Sequence, residues 1–444
     1  MDSGSRSRTR LSGMTQALIL TTYNMNDILF QSLSLIYIAL SKTAVVWIPL
    51  LLTIFAWRFW IDYVNAAAIE NIKWVMLEIR IPKEVTKTPK AMELVLINAL
   101  HQTGGVGTWY HRWWLGNVLP WFSLEVCSIG GELHFFVRTQ DKFRRLIESQ
   151  VYAQYPTAEV VPVDTDYAEL VPQVNKNTNA IWSTWGTEFT LSKVDPYPIK
   201  TYVDYGLDKS VKPDDQESQI DPISPMLELM GALKQGEQLW FQVLVRAHNA
   251  GKPGAKSFPK EGQWFERNGV KDITTEQIAK IIKDASKKTE GEKEGTILNL
   301  TKGQGDVISA IEHKMSQIQF ECGMRMVYLA KKDAFDPGII VGMMSVVKQY
   351  NSQDMNGFKP QNAVGVAIDF IDDPFGKKTL EMKKTMYNAY RLRSYFNKPY
   401  ERVPFILSSE ELATIYHFPN RATSTPSFAR IDSKQAEPPQ NLPI

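Results

Sequence analysis

From Ala44 to Trp60 the chain reads AVVWIPLLLTIFAWRFW, with no charge before Arg58. Roughly 20 apolar residues at 1.5 Å each cover a hydrocarbon core of roughly 30 Å, so this run predicts a membrane span. Trp47 marks one end, and Trp57 and Trp60 the other, where amphipathic rings favour the headgroup level. Arg58 can extend its stem along the helix and leave its charge at the interface. A second apolar piece, Ile28–Leu40, predicts an interfacial helix ahead of the span, with a tight membrane hairpin as the other arrangement. Residues 1–27 are mostly polar and predict a disordered leader, so the membrane region covers 28–66.

After residue 70 the pattern switches to short alternating runs. Leu77, Ile79 and Ile81 alternate with Glu78 and Arg80, a half-buried strand. Met92, Val95, Leu96, Ala99 and Leu100 share one helical face. Phe122, Leu124 and Val126 form a strand that Gly130 and Gly131 turn into Leu133, Phe135 and Val137. Asp141 is placed to cap a helix whose apolar side is Phe143, Leu146, Ile147 and Val151, and Val160, Val161 and Val163 close the set. The order β-α-β-β-α-β over 70–168 is that of a ferredoxin-like unit.

A similar order recurs over 186–365. Strands fall at Phe189–Leu191, Phe241–Val245 and Met324–Tyr328, with a weak fourth near Phe358, and helices at Met226–Leu233 and Ile340–Val347. An insertion at 250–318 separates the middle strands. Two helices, near 274–286 and 304–318, flank its charged centre, which reads as a loop. Residues 366–444 hold a helix near 376–395, a short helix opened by Ser408, and a Pro-, Ser- and Thr-rich extended tail. The predicted class is α+β: one N-terminal transmembrane helix, two ferredoxin-like units, the second with a helical insertion, and a helical and extended C-terminal region.

Composition changes this picture little. The 444 residues are 44% hydrophobic and 22% charged with net charge +2, which makes no global case for nucleic acid. The two cysteines, Cys127 and Cys322, have no metal-ligand spacing and fall inside strands, as buried free thiols do. The six histidines are scattered, without metal-ligand spacing. AGKPGAKS at 250–257 has alanine where a phosphate-binding loop needs both glycines. No catalytic set emerges from spacing, so the expectation is a non-enzyme without cofactor or metal. One local charge excess stands out, with Lys377, Lys378, Lys383, Lys384, Arg391 and Arg393 as candidate contacts for phosphate or anionic lipid. A solvated helix face is the plain alternative.

IRIPKEVTKTPKAMELVL, PWFSLEVCSIGGELHFFVRT, QDKFRRLIESQVYAQYP and the ending from LSSEELATIYHFPN onward resemble the membrane-anchored N-terminal region of bacterial type IV secretion-like and conjugation-like ATPases. The likeness covers roughly 70–444. The family places ferredoxin-like modules after transmembrane helices, and a hexameric motor often follows. This sequence stops about where the motor would begin and has no Walker A motif. The resemblance therefore implies a scaffold at the bacterial inner membrane with its soluble part in the cytoplasm. It would tether a separately encoded Walker-type ATPase, and a homo-oligomer is compatible with it. Leu412, Ile415, Tyr416, Phe418, Pro438 and Pro439 are the candidate docking residues. The alternative is a membrane-tethered nucleic-acid-binding module with direct DNA contact.

Overall fold

Two compact units divide the chain, Met1–Val64 and Asn65–Ile444. The computed structural model describes residues 5–81, 87–104, 109–171, 181–208, 220–248, 270–287, 300–364 and 376–419.

Helix α1 (Ser5–Glu70) is uninterrupted. It replaces the separate leader, interfacial helix and span that the sequence suggests. The physical reason is the lack of breakers: between Gly13 and Pro49 there is neither glycine nor proline. Pro49 removes one backbone donor, and the Thr53 hydroxyl donates to the Pro49 carbonyl at 2.8 Å. Ser41–Glu70 is long and apolar enough to cross a membrane, with mean hydropathy 1.8.

The second unit is α+β and is built on one large antiparallel sheet. In chain order its elements are β1 (Trp74–Arg80), α2 (Pro89–Leu100), α3 (Trp109–Trp113), β2 (Trp121–Ile129), β3 (Glu132–Gln140), α4 (Arg144–Gln154), β4 (Glu159–Val163) and α5 (Tyr167–Leu170). Then come β5 (Trp182–Leu191), α6 (Ser224–Gly231), β6 (Glu237–Ala247), α7 (Val270–Lys287), α8 (Lys302–Ser316), β7 (Gln319–Lys331), α9 (Pro337–Val347) and β8 (Phe358–Val364). Helix α10 (Lys377–Arg391), β9 (Phe405–Ser408) and α11 (Ser409–Ile415) finish the described fold.

Strands run in the order β4-β1-β3-β2-β6-β7-β5-β8, and β9 pairs with the start of β7. Each half therefore follows the same sequence of neighbours: fourth, first, third, second. The halves join through their second strands, β2 and β6, from Trp121↔Arg246 to Ile129↔Gln238, with Glu125 opposite Gln242 at the centre. Gly130 and Gly131 turn β2 into β3 with φ of +61° and +95°. A two-residue hairpin needs this left-handed backbone, which glycine adopts without steric cost.

Alternation gives the sheet two faces. Phe122, Leu124, Phe135, Phe241, Val243, Met324 and Tyr328 pack beneath α2, α4, α6, α9 and α11 in the main core. Asp141 does not cap α4; it opens a short 3₁₀ turn, and its backbone carbonyl accepts from Arg144 N–H. Leu146, expected in the core with Ile147 and Val151, is only half-buried. The opposite face is covered too. Cys127, Phe136, Trp240, Val327 and Leu329 pack against Tyr167 of α5 and against Met386, Tyr387 and Tyr390 of α10. Both cysteines are buried and free.

Candidate functional site

Among the described residues, a cluster of buried charges lies on this second face. Strand register sets Glu78 opposite Phe136, Phe136 opposite Glu125, and Glu125 opposite Gln242. It then sets Gln242 opposite Arg325 and Arg325 opposite Glu188. A single rung thus carries five polar side chains across six strands, and all five are buried. Polar groups in a sheet interior are costly unless paired, so what covers them matters.

Arg393 supplies the central pairing. It lies just past the end of α10 with φ of 51°, a left-handed conformation that aims its side chain at the β2–β6 seam. Its Nε and Nη2 donate to the two carboxylate oxygens of Glu125 at 2.9 and 3.0 Å. Nη2 also donates to Asp166 Oδ1 at 2.9 Å, and Nη1 pairs with Asp166 Oδ2. Glu125 further accepts from the Tyr167 hydroxyl at 2.7 Å, from Gln242 Nε2 at 2.9 Å and from the Ser123 hydroxyl. Burial alone would raise the Glu125 pKa. The Arg393 charge and these hydrogen bonds outweigh burial and hold the carboxyl at about 2. Burial likewise disfavours the Arg393 charge, and Glu125 more than offsets it. Burial, then the Glu125 charge, pushes the Tyr167 and Tyr390 hydroxyls well above the usual phenol range.

Arg325 is less completely matched. Nη2 donates to the Ser394 carbonyl at 2.7 Å, while Nε and Nη1 have no hydrogen-bond partner among the described residues. Burial lowers its pKa, against the Glu188 charge. Its guanidinium lies near the rings of Tyr395 and Tyr400. Gly323 makes that cover fit: a Cβ there would come within 2.5 Å of the Tyr395 ring.

These groups act as a clasp. Chain from 166–167 and 390–400 is fixed to a sheet seam by charge-assisted hydrogen bonds, which are about twice as strong as neutral ones. Sequence periodicity alone assigns Glu125, Gln242, Arg325 and Glu188 to solvent. A usable signal was present: Trp240 and Leu244 flank Gln242 on its own face, and Gly323 and Val327 flank Arg325. Apolar i±2 neighbours mark a covered face.

Arg393 is therefore no contact for phosphate or lipid, because its charge is spent inside the fold. Lys377, Lys378 and Lys384 are exposed, while Lys383 and Arg391 are half-buried. Burial, with the Lys332 charge second, lowers the Lys383 pKa.

The candidate docking residues of the C-terminal region are corrected as well. Leu412, Ile415, Tyr416 and Phe418 all belong to the main core, so they face this protein rather than a partner. Ser408 does cap α11, forming a capping box with Glu411. Glu411 also accepts from Ile199 N–H at 2.7 Å and pairs with buried Lys314 at 3.0 Å, joining α11 to α8. The apolar run is needed there because a helix this short is marginal without a packing surface. Pro438 and Pro439, and the AGKPGAKS segment, lie outside the described residues. In the first unit Trp47, Arg58 and Trp60 are exposed and Trp57 is half-buried. Among the described residues, no group of three or more His, Cys, Asp or Glu side chains could hold a metal ion.

Residues 65–430 match the family described as "Domain of unknown function (DUF8128)". The chain belongs to this family. The DUF8128 match includes every strand and the clasp, and leaves the apolar run 44–60 outside it. No curated protein matches the chain.

Proposed function

We propose that the protein is a non-enzymatic, membrane-anchored scaffold of a type IV secretion-like or conjugation-like system. It tethers and positions a separately encoded ATPase motor at the bacterial inner membrane, with its domain in the cytoplasm. The observation that carries this reading is the joining of one long apolar helix to a broad sheet whose central charges are spent on holding the fold together. We read each half-sheet as a ferredoxin-like unit, because the neighbour order fourth, first, third, second is that of the βαββαβ fold. In the second unit α7 and α8 form the insertion. The resemblance to the N-terminal regions of secretion ATPases supplies the partner.

With α11 built into the core, the docking role passes to residues 420–444. Removing them should leave folding and membrane attachment intact and abolish co-purification of a Walker-type ATPase with the detergent-extracted protein. Retention of the ATPase at wild-type yield would remove the tail from the proposal. A salt-dependent shift of DNA by the full chain, with no ATPase retained, would favour the nucleic-acid module instead.

A further inference from the structure

We propose that the aromatic segment Trp109–Leu115 is a second membrane contact, seated in the headgroup region of the bilayer. The proposal rests on reading 44–60 as a span. It adds a surface of the domain itself to the membrane contacts of the chain.

The first observation is exposure. Trp109, Tyr110, Trp114 and Leu115 are 64%, 46%, 50% and 46% exposed, four large apolar side chains within seven consecutive residues. Among the other described residues of the domain, exposed large apolar residues such as Leu170 and Val341 stand singly along the chain, which is ordinary for a protein surface. Large apolar side chains gathered in one short exposed segment, with the Trp109 and Tyr110 rings 6.2 Å apart, mark an interaction surface.

The second observation is chemistry. Three of the four side chains are Trp or Tyr, the residues that favour the membrane–water interface because one end is apolar and the other polar. The backbone presenting them is well held. Trp114 and Leu115 N–H donate to the Tyr110 carbonyl at 3.0 and 3.2 Å, and Asn117 N–H donates to the His111 carbonyl at 2.9 Å. Gly116, at φ +65°, turns the chain back toward the sheet.

Placement is the third. Val118, just after the patch, packs in a small cluster with Ile69, Ile72, Trp74 and Trp121. Ile69 and Ile72 carry the chain out of the apolar helix and into β1. From Trp60, at the predicted end of the span, to Ile69 the chain reaches at most about 30 Å extended and about 14 Å as helix. The patch is therefore linked, through Val118, to the stretch of chain that follows directly on the apolar helix.

The test uses the full chain, spin-labelled at Leu115→Cys, Leu51→Cys or Val341→Cys and reconstituted in phosphatidylcholine–phosphatidylglycerol vesicles. All three sites are exposed, so the labels do not enter a core. Cys127 and Cys322 are buried, and the unsubstituted chain gives their background. Collision with lipid-soluble oxygen is compared with collision with a water-soluble nickel chelate. The ratio of oxygen to nickel accessibility should be several-fold higher at Leu115 than at Val341, and highest at Leu51. If Leu51 reports lipid and Leu115 matches Val341, the patch faces water and the proposal falls while the anchor stands. If Leu51 is also aqueous, the span fails and takes this contact with it. Protection of Leu115 from both reagents, with dipolar broadening, would assign the patch to a second copy of the chain and overturn the proposal. A Trp109→Cys label should repeat the Leu115 result.

Discussion

Truncating either side of the Glu125–Arg393 pair leaves a charge in the sheet interior. Breaking a buried pair from one side costs about 3–5 kcal/mol when the remaining charge is left alone. Because Asp166 still pairs with Arg393, Glu125→Gln should lower stability by up to about that amount in a denaturant melt. Lys384→Ala, on the exposed side of α10, should stay within about 0.5 kcal/mol. The same pair predicts a pH dependence. The Glu125 carboxyl sits at about 2 in the folded protein, against roughly 4.3 for an unfolded glutamate. A depressed pKa contributes stability that is complete above the unfolded value and is lost as pH falls toward the folded one. Wild type should therefore converge on Glu125→Gln in melting temperature between about pH 4.5 and pH 2. A constant gap across that window would place the protection elsewhere.

Among the elements, α11 is short but central. Leu412 is fully buried beneath it in the main core, and Leu412→Ala should cost about 2–5 kcal/mol. Leu146 on α4, half-buried, should cost clearly less when changed in the same way. Equal losses at the two positions would contradict this division between core and rim. The Ser408 cap was legible because capping is local chemistry within one turn, while its Glu411 partner came from the structure. The docking role read into the same helix was not sustained. The apolar residues that would bind a partner are the same kind that bind the chain's own sheet, and sequence does not distinguish the two.

For the whole molecule, the β2–β6 seam makes one sheet of two halves. Removing residues 1–65 should leave a domain that a carbonate wash strips from membranes, because the Trp109–Leu115 contact is interfacial and not a span, and the released protein should melt in a single transition. Persistent pelleting would put the anchor outside α1. Two separate transitions would mean that the seam does not couple the halves.

The sequence by itself determined the apolar run 44–60, the strands and helices of the domain other than α3, α5 and β9, the Gly130–Gly131 turn and the α+β class. Each of these rests on periodicity, capping or breaker residues acting within a few positions of one another. Only the tertiary structure decided that the halves share one sheet and that its second face is covered. It alone placed Arg393 against Glu125, 268 residues away, and turned four apparently solvent-facing polar residues into a buried rung. Period-two alternation tells which side chains lie together on a face, but not what lies above that face. For Glu125, Gln242, Arg325 and Glu188, the cover came from α5, α10 and the chain just beyond α10, whose own sequence carries no mark of the strands they meet.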